Sequence, residues 1–113
     1  MKVRTPAELL TEARALIAKG WCQGASARDV HGIPADFWGQ KAVTFCMSGA
    51  LCRMENFIFD AHRTSRNILY SVIEVNNLAT WNDREGRTQE EVLAAFDKAI
   101  AIAKDLDISE RIR

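Results

Sequence analysis

Two helix-start signatures constrain this chain more than any other feature. Thr5-Pro6-Ala7-Glu8 and Thr88-Gln89-Glu90-Glu91 each place a threonine three residues before a glutamate. This is the pattern of a capping box, in which the two side chains satisfy backbone N–H groups that have no partner inside the helix. Pro6 at the first helical position strengthens the first one, since its ring presets the helical φ. Leu9, Leu10, Ala13, Leu16 and Ile17 then recur at helical spacing and make one apolar face. Gly20 is expected to end this helix in the left-handed conformation. Behind the second box, Val92, Phe96, Ala99, Ile100 and Ala103 point inward, and the tail after Asp105 is expected to fray.

Between these helices the pattern is mixed. Trp21 to Pro34 is punctuated by Gly24, Gly32 and Pro34, and Asp29-Val30-His31-Gly32 reads as a tight turn. An extended segment or a short two-stranded hairpin is expected there, with Trp21 folded back on the core. Asp36 is read as the cap of a second helix reaching about Met54. Its residues Val43, Phe45, Cys46, Met47, Ala50, Leu51 and Met54 cover most of its circumference, which predicts a buried, central helix. Gly49 inside it costs about 1 kcal/mol against alanine, so close approach of another backbone or of a tryptophan ring is expected at Ser48-Gly49-Ala50. Asn56 to Asp60 reads as a connection bearing exposed Phe57 and Phe59. A third helix covers Asp60 to Val75, with Ile68, Leu69, Val72 and Ile73 on its core face and Asn76-Asn77 ending it. Leu78 to Arg87 reads as a loop. The fold class is therefore mainly α, a compact bundle of about four helices in a single helical domain over residues 1–113.

Composition narrows the function classes. The 15 basic and 15 acidic residues cancel, so the basic surplus that drives phosphate-mediated nucleic-acid binding is missing. The apolar runs fall far short of the roughly 20 residues needed to cross a bilayer. The start, Met1 to Pro6, lacks the apolar stretch of a signal peptide. Three cysteines, an odd number, argue against a closed disulfide framework. A cytoplasmic location is expected.

The candidate sites lie mostly outside the helices. Trp81-Asn82-Asp83 followed by Gly86-Arg87-Thr88 sets an indole beside polar side chains and a helix N-terminus, which suits a ligand with a ring and an anionic group. Each residue also has an ordinary local role, with Trp81 as core anchor, Asp83 holding the turn and Thr88 capping. Trp21, Gln23, Gly24, Arg28 and Asp29 make a similar mixture. Convergence of the two segments on one cleft gives the expected ligand-binding set Trp21, Gln23, Arg28, Asp29, Trp81, Asn82, Asp83 and Arg87. Cys46, near a helix start, is the candidate nucleophile, with His31 or His62 as base; the plainer reading is a small buried residue. Cys46 and Cys52 fall on different faces of one helix, and Cys22 with His31 gives too few ligands, so no metal and no cofactor is expected. His62, Arg63 and Arg66 form a small basic cluster that suits a phosphate or an acidic partner, or simply a solvated face. The P-loop, dinucleotide-binding, zinc-protease and nucleophile-elbow motifs are absent, and Glu90 with Glu91 is explained by the capping box.

Three segments together resemble a known family. Gly20-Trp21-x-Gln23-Gly24, Cys46-x-x-Gly49-Ala50-Leu51 and Trp81-Asn82-Asp83-x-x-Gly86-Arg87-Thr88-x-Glu90-Glu91-Val92 look like short bacterial and phage-borne proteins classed as a domain of unknown function. The resemblance spans roughly Leu9 to Ala103. It implies a common helical fold and a phage or mobile-element origin, and it brings no activity and no established site residues. The expected function is a noncatalytic binding module that sequesters a small molecule or blocks a host protein. The alternatives are a small cysteine-dependent enzyme using Cys46 and a nucleic-acid accessory protein using Arg63 and Arg66. Self-association through Phe57 and Phe59 is a further expectation.

Overall fold

The computed structural model describes residues 5–55 and 59–112, and side chains over 5–54 and 63–106. Phe57 lies outside the described residues, as do the side chains of Phe59 and His62. Among the described residues, five helices and one small sheet follow in the order α1 (Pro6–Lys19), β1 (Ala27–Arg28), β2 (Thr44–Phe45), α2 (Met47–Glu55), α3 (Phe59–Ile73), α4 (Leu78–Asn82) and α5 (Gln89–Ile112). The chain is thus mainly helical, with a hairpin-like pairing between the first two helices.

Both capping boxes form. Thr5 Oγ1 accepts from Glu8 N while Glu8 Oε1 accepts from Thr5 N, each at 3.2 Å. Thr88 Oγ1 accepts from Glu91 N at 3.2 Å, and Glu91 Oε1 accepts from Thr88 N at 3.0 Å. The α1 face made by Leu9, Leu10, Ala13 and Ile17 is fully buried. α5, α2, α3 and β2 all pack against α1, so the amphipathic first helix, not the second, is the centre of the molecule. Phe96, Leu69, Met47, Leu51 and Val92 complete the core around it.

The second helix is shorter than its apolar run implies. Asp36 does not cap a helix. Its Oδ1 accepts from Trp38 N at 3.0 Å and its carbonyl accepts from Gly39 N, so it closes a turn. The residues after that turn find backbone partners in other segments: Val43 N donates to Arg28 O, Phe45 N to Gly20 O and Cys46 N to Ser26 O. β2 therefore pairs antiparallel with β1, Ala27 opposite Phe45 and Arg28 opposite Thr44, and Trp21 bridges Phe45 in parallel. The apolar residues of 43–46 serve a β contact, in which β-branched and aromatic side chains are at home.

Other boundaries move for local reasons. Gly20 is extended (φ −176°) and makes room rather than a left-handed turn: a Cβ there would stand 2.7 Å from the Val43 carbonyl oxygen. α3 ends at Ile73, and Glu74, not an asparagine, takes the left-handed position (φ 64°). Asn77 starts a helix instead of ending one, its Oδ1 accepting from Thr80 N at 2.9 Å, so the expected loop from Leu78 begins as α4. α5 runs on past Asp105 to Ile112. No helix among the described residues is long and apolar enough to cross a membrane.

Candidate functional site

The two tryptophan segments meet, and Asn82 joins them. This asparagine is fully buried at the end of α4. Its Oδ1 accepts from Trp21 Nε1 at 2.8 Å and from Met47 N at 3.1 Å. Its Nδ2 donates to Cys22 O at 3.1 Å and to Asp83 Oδ1 at 2.9 Å. An amide offers two acceptor and two donor positions, so this side chain is fully satisfied. The Met47 contact also explains how α2 starts. The first N–H groups of a helix need outside partners. Asn82 takes that of Met47, and Cys46 Sγ accepts that of Gly49 at 3.3 Å.

The surrounding polar groups tighten the same joint. Gln23 Nε2 donates to the carbonyls of Asn82 and Arg84, at 2.9 and 3.1 Å. Gly24 N donates to Asp83 Oδ1 at 3.0 Å. Arg28 donates through Nε and Nη2 to Gln23 O and through Nη1 to Gly32 O, so it holds the 23–32 segment in shape. Trp21, Gln23, Arg28, Asn82 and Asp83 are thus brought into one neighbourhood, where their polar atoms bond to each other and to nearby backbone. The result is an interlock between sequence-distant segments.

The other three candidates, Trp81, Arg87 and Asp29, make contacts of their own. Arg87 stacks its guanidinium 3.6 Å from the centre of the Trp81 ring, donates to Trp81 O, and pairs with Glu91 across one turn of α5. Stacking and a carboxylate partner together fix its plane. Trp81 also borders a groove of about 230 Å³ with Val72, Ile73, Glu91, Ala94, Ala95 and Lys98. Asp29 is in the expected turn, where its Oδ1 accepts from His31 N and Ile33 N, as an aspartate turn does.

The thiols sit close to the interlock. Cys46 does lie at a helix start, where the dipole favours a thiolate. Burial dominates, and it pushes the Cys46 thiol up despite the N–H groups of Gly49 and Ser48. Burial likewise raises Cys22, with the Arg28 charge acting in the opposite sense. His31 is exposed on its turn. Arg66, from the basic cluster, donates to Cys52 Sγ at 2.9 Å. Among the described residues no three histidines, cysteines or acids gather as metal ligands would.

Sequence reasoning missed a face outside the interlock. Residues 29–43 form an excursion between β1 and β2 that displays Val30 (74% exposed), Ile33 (58%), Trp38 (48%) and Val43 (41%). The excursion is braced by the Asp29 and Asp36 turns and by Arg53, whose Nη1 donates to Phe37 O at 2.8 Å and Gly39 O at 3.0 Å. Two grooves flank Val43. One, about 350 Å³, is bordered by Asp29, Val30, His31, Gln40 and Lys41. The other, about 360 Å³, is bordered by Leu16, Lys19, Ala42, Phe45 and Arg53. The available signal was Val30, Ile33 and Trp38, apolar residues scattered among turn formers without a helical or strand period to bury them.

Comparison of the chain with curated proteins and with solved structures found no match. A family-wide sequence pattern does match, over residues 1–102, which include α1, the interlock and most of α5. The chain belongs to DUF6197, a family of unknown function.

Proposed function

We propose that this protein is a noncatalytic binding module that holds its partner on the face built by residues 29–43. The observation that carries this reading is the display of Val30, Ile33, Trp38 and Val43 on one excursion whose backbone is braced at several points. Exposed apolar side chains cost nothing singly, but several on one ordered segment are what a recognition surface needs. Pre-organisation supports the reading too, because a braced loop loses little entropy on binding. The interlock then serves as the rigid support of that face. The free thiols fit a reducing compartment, and with it a cytoplasmic location. A phage-borne origin remains the expectation drawn from the family resemblance.

Photo-crosslinking tests the reading in cells that carry the protein. A photoreactive residue is placed at Val30 or Val43, and at Ser71 on α3 as control. Defined adducts at the excursion positions, lost when Trp38 is replaced by Ala, are the expected result. Equal labelling at all three positions, or none, sinks the reading.

A further inference from the structure

The groove between the end of α1 and β2 differs in charge from the others. Its floor is apolar, formed by Leu16, Ala42, Val43 and Phe45, and among the described residues that line it the charged ones are Lys19 and Arg53. The groove beside Trp81 has both signs, Glu91 and Lys98, and that beside His31 has Asp29 with Lys41. Arg53 is held in place: its Nη1 serves two carbonyls and its guanidinium lies 5.4 Å from the Phe45 ring centre. Among the described residues its Nε and Nη2 have no acceptor, and neither Arg53 nor Lys19 has a carboxylate partner. The Nε–Nη2 edge of a guanidinium is the fork that takes a carboxylate through two hydrogen bonds. The volume, about 360 Å³, is within the range of small-molecule sites and more than twice that of the ~150 Å³ apolar cavity that holds a benzene ring.

We infer that this groove binds a small amphiphilic carboxylate, its hydrocarbon or aryl body on the floor formed by Leu16, Ala42, Val43 and Phe45 and its carboxylate between Lys19 and Arg53. The inference rests on the reading of the protein as a binding module and assigns one class of ligand to it. A single anionic group matches the two cations that line the groove, and the apolar body replaces water over the floor.

Titration of the whole chain with octanoate, followed by amide NMR, tests it. Saturable shifts confined to residues 16–19, 42–45 and 53 are expected. Octanol should bind about tenfold more weakly, and Lys19→Glu should weaken octanoate about tenfold, for loss of one charge-assisted contact. Lys98→Glu should leave octanoate binding unchanged. Lys19 is exposed at a helix end, so its replacement leaves the core intact, which the same spectra verify. The inference is overturned by shifts elsewhere or without saturation, by equal affinity for octanol, or by insensitivity to Lys19→Glu. Preference for a short peptide with a C-terminal leucine over octanoate would also overturn it, in favour of a protein terminus. Crosslinking at Val30 is independent of this ligand, so failure here leaves the binding-module reading to be judged by that experiment.

Discussion

At the scale of single residues, Asn82 matters most. Replacing it by Leu would leave Trp21 Nε1, Met47 N and Cys22 O without partners in or near the core. An unsatisfied buried group costs about 1–3 kcal/mol, so a loss of about 3 kcal/mol or more is expected in urea unfolding. Asn82→Asp should be milder. The new carboxyl can still accept from Trp21 and Met47, but it sets negative charge against Cys22 O and Asp83 in place of a donor. Burial and the Asp83 carboxylate push that carboxyl above its ordinary range, so it takes up a proton on folding, and its deficit should shrink as pH falls from neutral toward the unfolded value of about 4. The thiols give a second test. With Cys22 and Cys46 raised by burial, both should react with a disulfide reagent at pH 8 far more slowly than cysteine in the unfolded chain. Fast labelling of native Cys46 would contradict that burial and revive a nucleophilic role.

At the scale of elements, helix ends decide local stability. Glu74 holds φ 64° behind α3, a conformation that costs a non-glycine residue about 1 kcal/mol. Glu74→Gly should therefore stabilise the fold by up to about 0.5 kcal/mol, after allowing for the greater freedom of glycine when unfolded. A lowered midpoint in thermal unfolding would show that the Glu74 side chain has a role that outweighs its strain. The α5 cap makes a pH prediction. Thr88 N–H, and then Arg87, hold the Glu91 carboxyl below its ordinary value of 4.5. A depressed pKa stabilises the folded state above the unfolded pKa, and that contribution fades as pH falls through the folded value. The stability difference between the native chain and Glu91→Gln should thus be present at neutral pH and vanish in acid. The capping boxes were legible in the sequence because each is a contact between residues three apart. The turn at Asp36 was not, because an aspartate can begin either a helix or a turn, and the backbone partners of the next residues choose between them.

At the scale of the whole molecule, burial and not charge holds the layers together. Arg14 and Asp97 pair across α1 and α5, but both side chains are substantially exposed (35% and 57%). Asp97→Ala should change stability by less than about 1 kcal/mol. Phe96, its fully buried neighbour in sequence, should lose about 3–5 kcal/mol on replacement by Ala. A reversed order of these two effects in denaturant titrations would mean that the α1–α5 contact is electrostatic. The same logic separates the features readable in the chain from those that were not. Helical periodicity, the capping boxes and the buried faces of α1 and α5 are set by residues close in sequence, and the sequence by itself determined them. Trp21, Gln23, Asp83 and Asn82 were also recognisable as unusual. Their joining was decided only by tertiary structure, since hydrogen bonds between positions about 60 apart leave no spacing to read. Tertiary structure likewise turned residues 43–46 from an apparent helix into β2 and its exit, because their backbone donors found Arg28, Gly20 and Ser26. An apolar residue satisfies a helix core or a strand pair equally well, and only the backbone partners it meets select between them.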